Sequence, residues 1–311
     1  IYHAIDSDVP DAMQAFQATR YLDTQIPHIP VKGNGLKDEG YATISTSNWM
    51  PYTWSTNNVA FAEVMHTALA YFLAGRNEAG FKLFKSSILD GMYLGESPGN
   101  FGQISFYDAA RGECYRDFGD AIGVASRLLV QGLFGIHPDA LNDRVVIRPG
   151  FPASWPFASL KTPDLSFDYK NDTYHIVTRF PAVELQVPAR KDHIKRVLVN
   201  GRNAHWQLSD AVAGAPFVSI KVPAGSCNIT IEWAGSEIVR SPLTGAQTTF
   251  KRVTQGEMSW LAAQPVNTPA IATDKTTDTA FSQVIPGCCE QVNMDAQWNA
   301  AVSDIFKNEY L

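Results

Sequence analysis

The chain has 311 residues, 45% of them hydrophobic, which is enough for two domains with substantial cores. Lys and Arg total 25 against 31 Asp and Glu, so the net charge is −6. A mildly acidic chain without a basic run offers nothing that attracts nucleic acid or an anionic membrane. No apolar run reaches the roughly 18 residues that cross a bilayer. We therefore predict no nucleic-acid partner and no membrane span.

The first 140 residues show helical periodicity. Apolar side chains recur at three- and four-residue intervals, which predicts helices over residues 11–23, 57–74, 78–92 and 119–134. The second and third of these are separated only by residues 75–77 (GRN), with Gly at the position where helices commonly end. A turn this short predicts a hairpin of two antiparallel helices.

Beyond Pro138 the period of the apolar residues changes to two. Short runs rich in β-forming residues predict strands at 145–148, 165–169, 174–180, 183–187, 195–199, 217–222 and 228–233. Short strands at this spacing, without helices between them, indicate an antiparallel β-sandwich over residues 141–236. Residues 237–311 are predicted to be a linker and the start of a further region.

One candidate binding segment is the loop at residues 48–58 (NWMPYTWSTNN), which precedes the helix at 57–74. Sugars are bound by aromatic platforms next to amide and hydroxyl groups, and this loop is rich in all three. Trp54 is the best single candidate. In the alternative interpretation Trp49 and Tyr52 are core anchors and Asn58 or Thr56 caps the helix. The candidate substrate contacts here are Trp49, Tyr52, Trp54, Asn57 and Asn58.

The second candidate segment is residues 107–120 (YDAARGECYRDFGD), which contain four carboxylates and two arginines and lead into a helix. Carboxylates beside arginine fit general acid and base chemistry, because neighbouring charges and burial set the protonation state of each one. The alternative is an ion-pair network that fixes the loop. The candidate catalytic residues are Glu113, Asp117 and Asp120, and the candidate substrate contacts are Tyr107 and Arg111.

The sequence predicts no metal and no cofactor. It has no His-Glu-x-x-His motif, and its Gly-rich run at residues 33–35 lacks the spacing of a phosphate-binding loop. His66 follows Met65 on the predicted helix at 57–74 and is interpreted as a hydrogen-bonded core residue.

The end of the helical region resembles the end of the catalytic toroid in six-hairpin glycosidases. This superfamily includes inverting glucoamylase-like and α-rhamnosidase-like hydrolases, and cellobiose- and maltose-phosphorylase-like enzymes. The resemblance covers residues 40–180. It is carried by residues 111–113 (RGE), the helix at 119–134, and residues 135–138 (GIHP), 145–149 (VVIRP) and 151–155 (FPASW).

The resemblance implies an α+β multidomain fold, in which residues 1–140 are the closing helices of a partial (α/α) toroid and the β-sandwich follows. It implies a periplasmic or secreted glycoside hydrolase that acts on an oligo- or polysaccharide by inversion. Glu113 would be its general base. The general acid is expected upstream of Ile1, with Asp6 and Asp8 as stand-ins, so the chain would be a C-terminal fragment working with other domains of the same polypeptide.

Two other functions stay open. A glycoside phosphorylase of the same fold needs no general base, because phosphate itself attacks, so the carboxylate at Glu113 favours hydrolysis. A non-catalytic carbohydrate-binding module would use the aromatic loop at 48–58 and leave the carboxylates in salt bridges.

Overall fold

The computed structural model describes residues 1–47, 59–94, 106–108, 113–115, 119–240 and 242–266, with the backbone alone at 106–108 and 113–115. The α-helices in these ranges are α1 (Tyr2–Asp6), α2 (Ala12–Gln25), α3 (Phe61–Leu73), α4 (Asn77–Ile88) and α5 (Asp120–Arg127). Two π-helical turns, Leu89–Leu94 and Leu128–Leu133, continue α4 and α5. None of the helices in the described ranges is long and apolar enough to cross a membrane.

Local sequence explains where α2 begins. The Asp11 side chain accepts a hydrogen bond from the Gln14 amide (2.8 Å), and the Gln14 side chain accepts one from the Asp11 amide (2.9 Å). This reciprocal capping box satisfies two backbone donors that the first helical turn leaves unpaired. The helix predicted over 11–23 is therefore present and ends two residues later than predicted.

Helix α3 is the centre of the helical layer. Eleven of its thirteen residues are buried, among them Phe61, Met65 and Leu69. A helix that is apolar on nearly all faces has to be covered on several sides, and α1, α4 and α5 all pack against it. The predicted hairpin of α3 and α4 is present, and its turn contains Gly75 at φ +74°.

Three short antiparallel strands lie at the beginning of α3. They are β3 (Val59–Ala60), β4 (Phe106–Asp108) and β5 (Glu113–Tyr115), and they follow the isolated pair β1 (His28–Pro30) and β2 (Ala42–Ile44). Strand β3 runs directly into α3, so the helix predicted from residue 57 begins at Phe61 instead. In this small sheet Val59 pairs with Tyr107, and Asp108 pairs with Glu113.

A nine-stranded sheet follows the helices. Its strands are β6 (Ile136–Asp139), β7 (Arg144–Ile147), β8 (Phe157–Lys161), β9 (Leu165–Lys170), β10 (Thr173–Pro188), β11 (Lys191–Val199), β12 (Arg202–Asn203), β13 (Trp206–Ser209) and β14 (Phe217–Glu237).

Two long strands organise this sheet. Strand β10 pairs with β14 along its length, with an irregularity between Thr178 and Ala182. Before that point β10 also pairs with β9, and after it with β7. The runs predicted as separate strands at 174–180 and 183–187 are therefore one strand, as are those at 217–222 and 228–233. Fully buried side chains, including Phe167, Leu185 and Ile220, form its core.

A hairpin lies inside the segment predicted as a linker. Strands β15 (Thr248–Gln255) and β16 (Met258–Pro265) pair in continuous register. The Phe250 ring packs edge-to-face on Phe16 of α2, with 5.7 Å between centroids. The Gln17 side chain also accepts a hydrogen bond from the Thr248 amide (3.0 Å). The Thr- and Ser-rich composition predicted a linker here, whereas the structure has an ordered hairpin that packs on α2.

The predicted fold class is wrong in both parts. Strands account for 41% of the structure and helices for 29%, and no helical toroid is present among the described residues. The large sheet is mixed rather than antiparallel, because β7 and β10 run parallel from Ala182 to Leu185. The spacing of the apolar residues predicted the helices correctly, but this spacing indicates only which faces of a helix are apolar. It does not specify which elements cover those faces.

Candidate functional site

Glu63 is the one acidic residue of α3 and lies in its first turn. Its side chain is half-buried and forms no ion pair with another described residue. Burial raises the pKa of the Glu63 carboxyl above its ordinary value, and the negative charge of Asp120 raises it further. A raised pKa keeps a carboxyl group protonated to a higher pH, which is the property that a general acid needs.

Asp120 is the first residue of α5, which packs against α3. Its side chain is exposed, and Oδ1 accepts a hydrogen bond from the Ala121 amide (2.8 Å). Backbone amides at a helix N-terminus favour a negative charge there. The first turns of α3 and α5 thus bring together a half-buried carboxyl at Glu63 and a solvated carboxylate at Asp120.

An ion-pair network lies one turn further along α3. His66 Nε2 and Asp6 Oδ2 are 2.9 Å apart, and Arg127 Nη1 donates to the same oxygen at 2.6 Å. Arg127 Nη2 donates to Asp6 Oδ1. Burial opposes ionisation of Asp6, but the hydrogen bonds from Arg127 and His66 outweigh it and lower its pKa. Both oxygens of Asp6 are therefore engaged, and Asp6 is a poor stand-in for a general acid. The interpretation of His66 as a hydrogen-bonded residue is confirmed.

Three rings lie beside Glu63. The centroid of the Tyr2 ring is 4.8 Å from that of His66, and the His3 ring meets His66 edge-on at 4.9 Å. Burial raises the pKa of the Tyr2 hydroxyl, and the charge of Glu63 contributes to the increase. The interactions with His3 and His66 act in the opposite sense and lower the pKa of Glu63. The carboxyl group is thus bordered by rings that carry hydrogen-bonding atoms.

Two of the predicted site residues lie on strands at this end of α3. Tyr107 pairs with Val59, which precedes α3 by two residues. Glu113 begins β5, whose last residue, Tyr115, precedes the start of α5 by five residues. The backbone therefore brings the segments that carry Tyr107, Glu113 and Asp120 to the end of the helical layer where Glu63 lies.

The other predicted site residues lie outside the described part of the chain. The residues in question are Trp49, Tyr52, Trp54, Asn57, Asn58, Arg111 and Asp117.

Sequence reasoning missed Glu63 and Asp90. A single carboxylate in an otherwise apolar helix (FAEVMHTALAYFL) is the signal that would have identified Glu63. Asp90 lies in the π-helical turn after α4, and burial raises its pKa to about 6. Since α3 and α4 are antiparallel, this turn lies at the same end of the hairpin as Glu63.

Among the described residues, no group of three His, Cys, Asp or Glu side chains could hold a metal ion. The sequence matches no known family model and no curated protein.

Proposed function

We propose that the chain is a glycoside hydrolase that cleaves an oligo- or polysaccharide with inversion, with Glu63 as the general acid and Asp120 as the general base. The observation that carries the proposal is that Asp120, at the beginning of α5, acts electrostatically on Glu63, at the beginning of the helix α3 against which α5 packs. Their environments differ, since Glu63 is half-buried and Asp120 is exposed. Glycoside hydrolysis needs one carboxyl group protonated and the other ionised.

The acid step belongs to Glu63. Its proton goes to the glycosidic oxygen as the bond from that oxygen to the anomeric carbon breaks, so the leaving sugar departs as a neutral alcohol. Burial and the charge of Asp120 both keep the proton on Glu63 to a higher pH than an exposed glutamate would allow. Asp6, by contrast, is held in its ionised form by Arg127 and His66.

The base step needs a carboxylate in contact with water. Asp120 is exposed at a helix N-terminus and meets that requirement. It would take a proton from the water molecule whose oxygen attacks the anomeric carbon from the face opposite the leaving group. The resemblance to six-hairpin glycosidases implies Glu113 as the base instead. Both residues belong to the segment that leads into α5, and substitution of each residue in turn distinguishes them.

Substitution at each carboxyl group tests the proposal. Wild-type protein would be incubated with a panel of neutral and acidic oligosaccharides, and the release of reducing ends measured. We expect Glu63→Gln and Asp120→Asn each to lower the rate by about 10²–10⁴-fold. Asp143→Asn is the matched control, because Asp143 is exposed in the turn between β6 and β7 of the large sheet, outside the helical layer.

Three outcomes decide the assignment. If Glu113→Gln abolishes hydrolysis while Asp120→Asn does not, the base is Glu113 and the acid assignment stands. If Glu63→Gln hydrolyses the preferred substrate at the wild-type rate, the proposed acid is wrong. If no oligosaccharide in the panel is cleaved, the proposed function fails, and retained binding would favour the carbohydrate-binding module.

A further inference from the structure

A large cavity lies at the opposite end of α3 from Glu63. Its volume is about 1440 Å³, and it is bounded by α2, the turn between α3 and α4, the large sheet and the hairpin of β15 and β16. Arg76, in that turn, lines it. With a rise of about 1.5 Å per residue, Arg76 lies roughly 20 Å along α3 from Glu63. The cavity is therefore separate from the proposed catalytic site.

The guanidinium of Arg76 is held rigidly in the cavity wall. Nη2 forms an ion pair with Asp23 of α2, and the group lies over the rings of Phe16 (5.3 Å to the centroid) and Tyr71 (4.9 Å). Only 14% of the Arg76 side chain is exposed. Its Nη1 is buried and has no hydrogen-bond partner among the described residues. A fixed guanidinium at a cavity wall attracts an acidic group through its charge.

The charges around Arg76 do not cancel. Arg20 and Arg76 both pair with the single carboxylate of Asp23. The third contact of Asp23 comes from the Tyr71 hydroxyl, which donates at 2.6 Å. Burial raises the pKa of that hydroxyl, so it adds no negative charge. Two arginines against one carboxylate leave one positive charge uncompensated at this wall.

The other charged groups of the cavity wall largely pair with each other. On the sheet, Arg190 Nε lies 2.7 Å from Asp172 Oδ1. Glu78 acts electrostatically on Arg240, which also lines the cavity. The excess positive charge is therefore concentrated at Arg76, which determines where an anionic group would bind.

The size and lining of the cavity indicate the rest of the ligand. Pockets for drug-sized ligands have volumes of roughly 300–1,000 Å³, so this larger space fits an extended molecule. Trp233, Tyr169 and Phe16 line it together with hydroxyl, amide and charged groups. Mixed aromatic and hydrogen-bonding surfaces of this kind suit the apolar faces and the hydroxyls of sugars. We propose that the cavity binds an oligosaccharide carrying carboxylate groups, one of which lies against the wall at Arg76 and is held there by the positive charge of the guanidinium.

The test compares ligands that differ only in charge. Binding of tetragalacturonate and of its fully methyl-esterified form to the 311-residue chain would be measured by calorimetry, with glucuronate and mannuronate tetramers as further acidic probes. We expect the acidic form of at least one probe to bind at least about tenfold more tightly than its ester, and to weaken as salt rises. The indole N–H resonance of Trp233 should shift on binding.

Variants identify the binding position. Arg76→Gln should weaken the acidic probe by about tenfold and leave the ester unchanged. Arg240→Gln should weaken binding of the acidic probe by a smaller factor. Because Arg240 is exposed, this variant should fold normally, so it tests the cavity even if Arg76→Gln misfolds. Arg179→Gln is the matched control, since Arg179 is 80% exposed and lies outside the cavity. Glu63→Gln should leave this binding intact, which separates it from the catalytic proposal.

Three results would overturn the proposal. The first is that none of the acidic probes binds. The second is equal binding of an acid and its ester. The third is a folded Arg76→Gln variant that binds the acidic probe as tightly as wild type.

Discussion

Asp6 and Arg127 lie 121 positions apart in the sequence and form a two-pronged ion pair that fastens α1 to the end of α5. His66 of α3 completes the contact from the third helix. The Asp6 side chain is 16% exposed and that of Arg127 is 41% exposed. The pair is thus sheltered on one side and open to water on the other, which places its energetic contribution between those of surface and buried ion pairs.

Removing Arg127 should therefore destabilise the helical layer. Arg127→Gln leaves the half-buried Asp6 carboxylate with His66 alone, and we expect the free energy of unfolding to fall by about 1–2 kcal/mol. Urea denaturation followed by circular dichroism measures the loss. Arg179→Gln breaks the far more exposed pair with Asp164 and should cost less than about 0.5 kcal/mol. If the two variants lose the same free energy of unfolding, the ion pair of Asp6 with Arg127 stabilises the protein no more than an exposed pair does.

Asp90 makes stability depend on pH. Burial raises its pKa in the folded protein to about 6, whereas the ordinary value is 3.8. The folded state holds this proton more tightly than the unfolded chain, so stability falls as pH rises from 4 to 6 and then levels off. Asp90→Asn should be more stable than wild type by about 3 kcal/mol above that window, and the difference should vanish below it. Denaturant titrations across the window check the prediction, and a difference independent of pH would contradict it.

Gly135 allows the chain to pass from α5 into the large sheet. Its φ is +65°, and an added Cβ would lie 1.8 Å from the carbonyl oxygen of Arg148. Backbone cannot move aside as a flexible side chain can, so Gly135→Ala should cost about 3 kcal/mol or more. Gly123→Ala is the control inside α5, where nothing lies within 4 Å of the new Cβ. Higher helix propensity should make that variant about 0.5–1 kcal/mol more stable.

The coupling of Glu63 to Asp120 can be measured without any substrate. Carbon-detected NMR titration should give Glu63 a pKa above its ordinary value, mainly because of burial. Asp120→Asn removes a nearby negative charge and should lower that pKa. The exposed Asp143 is again the control, since Asp143→Asn should leave Glu63 unchanged. An unaltered pKa in the Asp120 variant would show that the two groups do not interact.

Short-range sequence patterns predicted the individual helices and strands better than the way in which they pack together. Asp11 and Gln14 identify the start of α2 because a capping box is complete within four residues. The parallel pairing of β7 with β10 joins Val145 to Val183, and no local pattern encodes a contact over that separation. The predicted toroid failed for the same reason, because the apolar faces of α3 are compatible with several different partners.

The candidate site divides in the same way. Asp120 was predicted from a dense run of charged residues next to a helix, and its position at the start of α5 follows from that run. Glu63 was missed because its chemistry depends on burial beside Tyr2 and His3, which come from a distant part of the sequence. The sequence pattern that indicates such a buried carboxyl group is a single carboxylate in an otherwise apolar helix.

The most direct test of the catalytic account compares two leaving groups. A glycosyl fluoride of the preferred sugar releases fluoride without protonation, whereas the matching glycoside needs an acid. We predict that Glu63→Gln cleaves the fluoride at nearly the wild-type rate but loses about 10²–10⁴-fold on the glycoside, while Asp120→Asn loses activity on both. If Glu63→Gln affects the two substrates equally, or if Asp120→Asn leaves fluoride hydrolysis unchanged, the assignment of acid and base to this pair is wrong.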